Sequence, residues 1–426
     1  MEYINFEILK QKLGLVCEYP HLLAEYGADT EKIRKIYDSL LESIETAKEN
    51  FESLQEEYSE SCDEPNDYGL IVKESEGGNR KTEVGDLYNK IKGALIGRFA
   101  GCTLGTPVEN WPVEKMQKKA EVEGSEFPPE YYWKTVANPS GTHYGEIWYY
   151  TQRDVMDGVP TDDDVTYTLL NLLILEKYGK NFTAEDVGEF WKEYLPMACT
   201  AEEMALNNLK NGVPAEKAAE IDNPYSNLIG ALIRADAFGY ANAGDPHEAA
   251  REAYYDAYLT HRRNGIYGEM LFAAAIAAAF SCNDAVEAVK TGMKEIPKKS
   301  MLYKDMEWAF SVLPEIKDIY HARELVDIRF KGMHCVHTNN NACLILFALY
   351  LGRNDLSKTI SYAVGLGLDN DCTAATAGSI AGAIQGFDGI DEKWYRPFNN
   401  KVRTYINGFP EFKIDDAAER FKKLNS

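Results

Sequence analysis

The sequence predicts an all-α protein, and three observations carry that prediction. Apolar residues fall in long segments with helical spacing, no stretch shows the sustained alternation of a half-buried strand, and turn-forming clusters separate one segment from the next. Within residues 1 to about 60, Ile33, Ile36, Tyr37, Leu40, Leu41 and Ile44 recur at helical spacing in a Glu-, Lys- and Leu-rich background, which predicts two or three helices. The stretch from Ser61 to Asp86 is polar, contains glycine and is weakly periodic, so it reads as a linker or surface excursion. The expected organisation is an N-terminal helical extension and linker over 1–80 and a compact multi-helix main domain over 81–426, whose helices start near Leu87. The extension would cover a pocket mouth, make a dimer contact or complete the core.

Within the main domain, helical segments are expected at Leu87–Gly101, Val165–Tyr178, Ala184–Tyr194, Leu228–Tyr240, Gly268–Phe280, Asn341–Leu351 and Thr376–Gln385. The signals NPS, DGVPTD, IDNP, NAGDP and LGRND punctuate them. Gly378, Gly382 and Gly386 recur at a spacing of four. Each glycine costs a helix roughly 0.8–1 kcal/mol relative to alanine, so close approach of another helix is the expected compensation. No internal repeat of fixed period is present.

With 45% apolar and 27% charged residues, the composition is that of an ordinary globular protein. Acidic residues number 68 against 45 basic, a formal charge of −23 that opposes binding to nucleic-acid phosphates or anionic lipid. The same charge favours divalent cations wherever carboxylates converge. The eight cysteines, at positions 17, 62, 102, 199, 282, 335, 343 and 372, form no C-x-x-C pair and read as mostly buried free thiols of a reducing compartment. The start MEYINFEILKQKLG lacks the plan of a signal peptide, and the most apolar run, Met270–Phe280, is too short to span a bilayer. A cytoplasmic location without a membrane partner is the expectation.

Two acidic clusters carry the candidate chemistry. Thr161-Asp162-Asp163-Asp164 stands directly before a helical run. Thr161 suits an N-cap and first-turn carboxylates suit the helix dipole, so capping alone is one reading. Three consecutive aspartates exceed what one cap needs, whereas a hard cation such as magnesium asks for several oxygens at close range. Asp369-Asn370-Asp371-Cys372-Thr373 precedes the glycine-spaced segment, and an extended turn would direct its two aspartates to one side.

Four blocks give these clusters a context. KIKGALIGRFAGCTLGTPVE (Lys90–Glu109), TDDD, the pair NLIGALIRADAFGY and LTHRRNGIYGEM, and GLDNDCTAATAGSIAGAIQG follow one another over roughly residues 88–390. In that order they resemble the signature blocks of the ADP-ribosylglycohydrolase family. The resemblance implies an all-α enzyme that uses two divalent cations, Mg2+ or Mn2+, to cleave ADP-ribose from a small-molecule or peptide-borne acceptor. It implies metal ligands at Thr161, Asp162, Asp163, Asp369 and Asp371, and catalytic carboxylates at Glu109 and Asp163. The family continues its last motif with a hydroxyl ligand, and this chain has Cys372 there. A thiol suits magnesium poorly, so Thr373 or water takes that place. The middle blocks imply substrate contacts from Asn227, Arg234, His261, Gly265, Tyr267 and Gly268.

Bland roles stand beside these. A lone histidine such as His261 serves as a structural hydrogen-bonder as readily as a pocket residue, and Arg262 and Arg263 suit a phosphate or a solvated basic turn equally. Near His337, capping is the favoured role for at least one of Asn339, Asn340 and Asn341. The aromatic runs YYWK and IWYYTQR, with Tyr167, suit core packing better than a pocket wall. Two other activities remain open on these residues: a nucleoside N-ribohydrolase, and a relative that binds without catalysis.

Overall fold

The computed structural model describes residues 3, 6–59, 63–77, 81–135 and 149–425. The NPS turn, Ile147 and Trp148 of the aromatic run, and Cys62 lie outside them. The described residues are predominantly helical, and the strands among them are β1 (Lys401–Arg403) and β2 (Glu411–Lys413), an antiparallel pair that sets Val402 opposite Phe412.

The chain divides into two compact units. The smaller, residues up to Asp63 with Lys331–Met333, contains α1 (Glu7–Glu25) and α2 (Thr30–Ser59). The larger, Glu64–Phe330 and the residues from His334 on, opens with α3 (Tyr68–Glu74), capped by Asp67, with Ile71 buried. The stretch expected to be linker therefore carries a helix, because Ile71 supplies an apolar anchor that the polar average conceals. Then follow α4 (Leu87–Gly105), α5 (Val113–Glu123), α6 (Asp163–Tyr178), α7 (Ala184–Tyr194), α8 (Thr200–Lys210) and α9 (Ala215–Ala218). Next come α10 (Asp236–Ala241), α11 (Pro246–Tyr258), α12 (Asn264–Ala279), α13 (Ala285–Gly292), α14 (Met301–Val312) and α15 (Ile319–Arg329). The chain ends with α16 (Thr338–Gly352), α17 (Leu356–Leu366), α18 (Asn370–Gln385) and α19 (Ile414–Leu424).

The centre of the larger unit is the crossing of α4 and α18, where backbone meets backbone. A Cβ added at Gly97 would lie 2.0 Å from the Gly378 carbonyl oxygen, and one at Gly378 2.2 Å from that of Gly97. Gly93 faces Gly382 and Gly101 faces Ala374 in the same way. The close approach expected from Gly378 and Gly382 is thus present. Gly386 instead ends the helix at φ +72, a conformation open to glycine. At the other end a Cβ on Gly105 would meet the Asp371 backbone at 2.4 Å, so the crossing delivers the end of α4 onto the start of α18.

Helix α12, which carries the Met270–Phe280 run, is buried along its whole length as a core helix. Among the described residues no helix is long and apolar enough to cross a membrane. The single helix expected over Leu228–Tyr240 is broken into a 3-10 turn at Leu232–Arg234 and the short α10. The cause is competition for its backbone: Ile229 N–H donates to Val336, and the Leu228 carbonyl accepts from the Thr338 hydroxyl. All seven described cysteines are free, with Cys102, Cys343 and Cys372 buried and Cys17 and Cys199 exposed, so fewer are buried than expected.

Candidate active site

Three segments distant in sequence meet at one place. The first is the turn after α4. There a 3-10 turn, Thr106–Val108, leads to Glu109 and Asn110, and the Asn110 side chain donates to Glu109 Oε1 at 2.9 Å. The Asn110 backbone N–H donates to the Leu368 carbonyl at 3.0 Å, stapling this turn to the one before α18. Leu368 has φ +61, a left-handed conformation uncommon for a leucine, immediately before Asp369.

The second segment is the start of α6. Its N-cap is Asp162, whose Oδ1 accepts from Asp164 N–H at 3.1 Å, and not Thr161, which lies outside the helix and is exposed. The shorter span from Asp162 to the first-turn donors decides this. Thr106 Oγ1 donates to Asp162 Oδ2 at 3.2 Å, joining the first two segments.

The third is the start of α18. The helix begins at Asn370, so Asp369 flanks it and Asp371 lies in its first turn, in place of the extended turn expected. Asp369 N–H donates to Asn341 Oδ1 at 3.3 Å. Asn341 in turn donates to the Cys335 carbonyl at 2.8 Å and that of His337 at 2.9 Å. The cap of α16 is His337 and not one of the three asparagines, because His337 Nδ1 already accepts from Asn339 N–H at 3.1 Å.

Oxygens of Glu109, Asp369 and Asp371 lie within 4.8 Å of one another, as do ligand atoms of Asp164, Asp371 and Cys372 and those of Cys102, Asp162 and Asp164. Both acidic clusters and Glu109 therefore form one constellation. Among the described residues, none of Glu109, Asp162, Asp163, Asp369 and Asp371 makes an ion pair with a basic side chain. Burial, then Asp369 and Asp163, push the Glu109 carboxyl up to about 7. Burial, then Asp164, push Asp162 up to about 6, and burial also raises Asp163, Asp369 and Asp371. Asp371 Oδ1 and Thr373 Oγ1 are buried with no hydrogen-bond partner. Carboxylates crowded without a counter-charge, and unpartnered oxygens among them, are the donor set that hard divalent cations take.

Asp164, absent from the predicted ligands, is the joint of the site. Fully buried Arg98 holds it through Asp164 Oδ1 at 3.1 Å and binds Asp236 Oδ2 at 2.7 Å. The sequence did not single out Arg98, because a lone arginine in an apolar helix has no local signal of its partner. Tyr405, Cys199 and Cys335 are further neighbours of the acids: Asp163 raises the Tyr405 phenol and the Cys199 thiol, and Asp369 raises Cys335, each after burial.

The predicted substrate contacts lie in a second, adjoining junction. His261 is buried, with Nδ1 at 2.7 Å from Thr260 Oγ1 and Nε2 without a partner. Gly265 and Gly268 allow close packing, since a Cβ would meet the Ser226 carbonyl oxygen or Thr338 Cγ2 at 2.4 Å. Tyr267 donates its hydroxyl hydrogen to the Pro65 carbonyl, and Asn227 accepts Thr338 N–H at 3.1 Å through its own carbonyl. Arg234 is a correction. It is fully buried and donates to Asp256, Glu202, Thr260 and the Gly230 carbonyl, which occupies its five N–H groups and leaves none for a ligand. Arg262 pairs with Glu220 at 3.2 Å and Arg263 with Glu64 at 2.6 Å, so neither guanidinium is a bare phosphate donor. Tyr167 and Trp191 pack together at 5.4 Å between ring centroids as core residues.

The family model described as ADP-ribosylglycohydrolase matches residues 83–424. A solved structure titled "ADP-ribosylglycohydrolase-related protein complex" is similar at 18% identity and a TM-score of 0.54, covering 80% of this chain and 99% of that one, which is a likeness of fold.

Proposed function

The chain belongs to the ADP-ribosylglycohydrolase family, and from that premise we propose that it is a divalent-cation-dependent hydrolase cleaving the bond between ADP-ribose and an acceptor. The observation that carries this reading is the convergence of Glu109, Asp162–Asp164 and Asp369–Asp371 from three segments into one cluster, in which Asp164 is held by Arg98 and the other acids make no ion pair among the described residues. In this reading residues 81–426 are the catalytic domain, 1–80 an extension of it, and the enzyme works in the cytoplasm.

Asp162, Asp163, Asp369 and Asp371 would hold the cations, with Thr373 supplying a hydroxyl where Cys372 cannot and Thr161 at the solvent side. Two magnesium or manganese ions, when bound, supply positive charge against ribose oxygens and acidify water. The protein's own contribution is placement. Asn110 fixes the Glu109 carboxyl at the rim, where it holds or releases the proton that hydrolysis moves, while burial keeps bulk water from Asp369 and Asp371. Cleavage at a ribose carbon passes through an oxocarbenium-like state that a nearby carboxylate stabilises.

The test is substrate profiling with magnesium or manganese, offering ADP-ribosyl-arginine, ADP-ribosyl-serine peptide, ADP-ribosylated nucleobase, 1″-O-acyl ADP-ribose and plain nucleosides. Free ADP-ribose from at least one ADP-ribosyl compound is the expected result. Release of a base from nucleosides alone would make it a ribohydrolase, and binding of ADP-ribose without turnover would make it a non-catalytic relative.

A further inference from the structure

We propose that a cavity at the C-terminal end of α16 binds a nucleoside monophosphate, at a site separate from the acidic cluster. The cavity has a volume of about 430 Å³, within the range of small-molecule sites, about 300–1,000 Å³. The segment entering α15, the end of α16 and the start of α17 wall it with Lys317, Tyr320, Tyr350, Arg353, Lys358 and Tyr362. Asn341, which holds Asp369, lies near the opposite end of α16. From there to Gly352 the helix rises roughly 16 Å, at about 1.5 Å per residue, so the cavity and the acids share no donor.

The wall is cationic in a chain whose formal charge is −23. Its one acid, Asp318, is engaged as the cap of α15, with Oδ1 accepting from His321 N–H at 2.9 Å. Among the described residues, none of Lys317, Arg353 and Lys358 makes an ion pair or a side-chain hydrogen bond. Unpaired cations gathered at a concave surface hold an anion. Three cations against one acid leave a charge that suits a phosphomonoester, which carries about −1.5 to −2. The arginine fork fits phosphate oxygens and the lysines add point charges. Arg353 also stands where a side chain is disfavoured: it ends α16 at φ 52 and ψ 49, a left-handed conformation usually given to glycine. No ion pair or hydrogen bond of its guanidinium offsets that cost within the described residues, so the use of this side chain lies outside the fold.

The rings decide between a bare anion and a nucleotide. Three tyrosines share the wall with the cations. Tyr320 accepts from Gln117 Nε2 at 2.9 Å, and the hydroxyls of Tyr350 and Tyr362 have no hydrogen-bond partner among the described residues. The apolar part of the lining is tightly packed, since a Cβ on Gly365 would meet Ile319 Cδ1 and Pro128 Cβ at 3.0 Å each. Aromatic rings beside cations take a planar base by stacking, and free phenol hydroxyls reach sugar oxygens. Inorganic phosphate would leave the rings unused, and a nucleoside without phosphate would leave the cations unpaired.

Isothermal titration of the full-length protein with AMP tests the proposal, in EDTA so that no divalent cation neutralises the acidic cluster and draws a phosphate there. AMP is expected to bind, with adenosine and inorganic phosphate each at least about tenfold weaker. Arg353→Gly suits the left-handed backbone, so it should keep or raise the thermal midpoint while weakening AMP at least about tenfold. Tyr350→Leu should weaken AMP and leave phosphate affinity unchanged, and Glu109→Gln should leave AMP affinity unchanged. Photolabelling with 8-azido-AMP and peptide mapping should mark residues 316–320 or 350–362. Absence of AMP binding, phosphate binding as tightly as AMP, affinity that survives Arg353→Gly or falls in Glu109→Gln, or label confined to the peptides of Glu109 and Asp369 would overturn the proposal. Because divalent cations are withheld throughout, each of these results leaves the hydrolase reading to its own test.

Discussion

Cys372 donates its thiol hydrogen to Asp164 Oδ2 across 3.2 Å and so ties the first turn of α18 to the first turn of α6. The thiol thus has a hydrogen-bonding task at the meeting point of the two acidic clusters, and Arg98 grips the other oxygen of the same carboxyl.

Cys372→Ser keeps a donor at that position and is expected to leave stability and manganese affinity largely unchanged. Cys372→Ala strips a buried carboxylate oxygen of its donor and is expected to lower unfolding free energy by about 1–3 kcal/mol. Thr373→Ala should weaken manganese binding by at least about tenfold, read by isothermal titration. Loss of affinity in both Cys372 variants with none in Thr373→Ala would reverse the assignment of the hydroxyl ligand.

Glu109→Gln preserves size and the contact with Asn110 while removing the proton-carrying group. Turnover should fall by about 10²- to 10⁴-fold, with the thermal midpoint and manganese affinity close to wild type. An unchanged rate removes Glu109 from the mechanism.

Gly97→Ala places a methyl 2.0 Å from a carbonyl oxygen that has no rotamer by which to retreat. Destabilisation of at least about 3 kcal/mol is expected, far beyond the gain alanine brings to an isolated helix. Urea unfolding measures it, and a loss under 1 kcal/mol, about the propensity difference itself, would mean that the two helices are not in backbone contact.

Glu252 is buried in the core, accepts from Asn242 Nδ2 at 2.7 Å, and has its carboxyl raised by burial from 4.5 to about 8. The folded protein keeps this proton where the unfolded chain loses it. Its contribution to stability is therefore complete below pH 4.5 and declines as pH rises to about 8. Glu252→Gln carries no titrating group, so the difference in thermal midpoint between variant and wild type should grow in the variant's favour from pH 5 to pH 8. A difference that stays constant with pH would show that Glu252 is ionised in the folded protein.

The all-α class and the family were legible because helical spacing and local motifs are properties of short segments. The acidic clusters and Glu109 were legible for the same reason, as was the need of Gly378 and Gly382 for a close neighbour. Their partner row, Gly93, Gly97, Gly101 and Gly105, has the same spacing in the sequence, but a glycine row names no partner until the fold sets the helices together. Arg98, Asp164 and Tyr405 act through neighbours 66 to more than 200 positions away, and nothing in their local sequence announces that. Arg234 shows the reverse failure: a guanidinium in a pocket-bordering motif reads as a ligand donor until the buried acids that occupy it are located.

The α4–α18 crossing makes the span between Glu109 and the Asp369–Asp371 turn a matter of main-chain atomic radii, since the α4 glycines rest on the backbone of α18 along it, from Gly382 to Asp371. For the cations of the proposed function, the mouth would in effect be a fixed-jaw caliper. Discrimination between ions of different radius would then come from the jaws' separation, and substitutions at the rim would alter which donors are presented without altering the gauge.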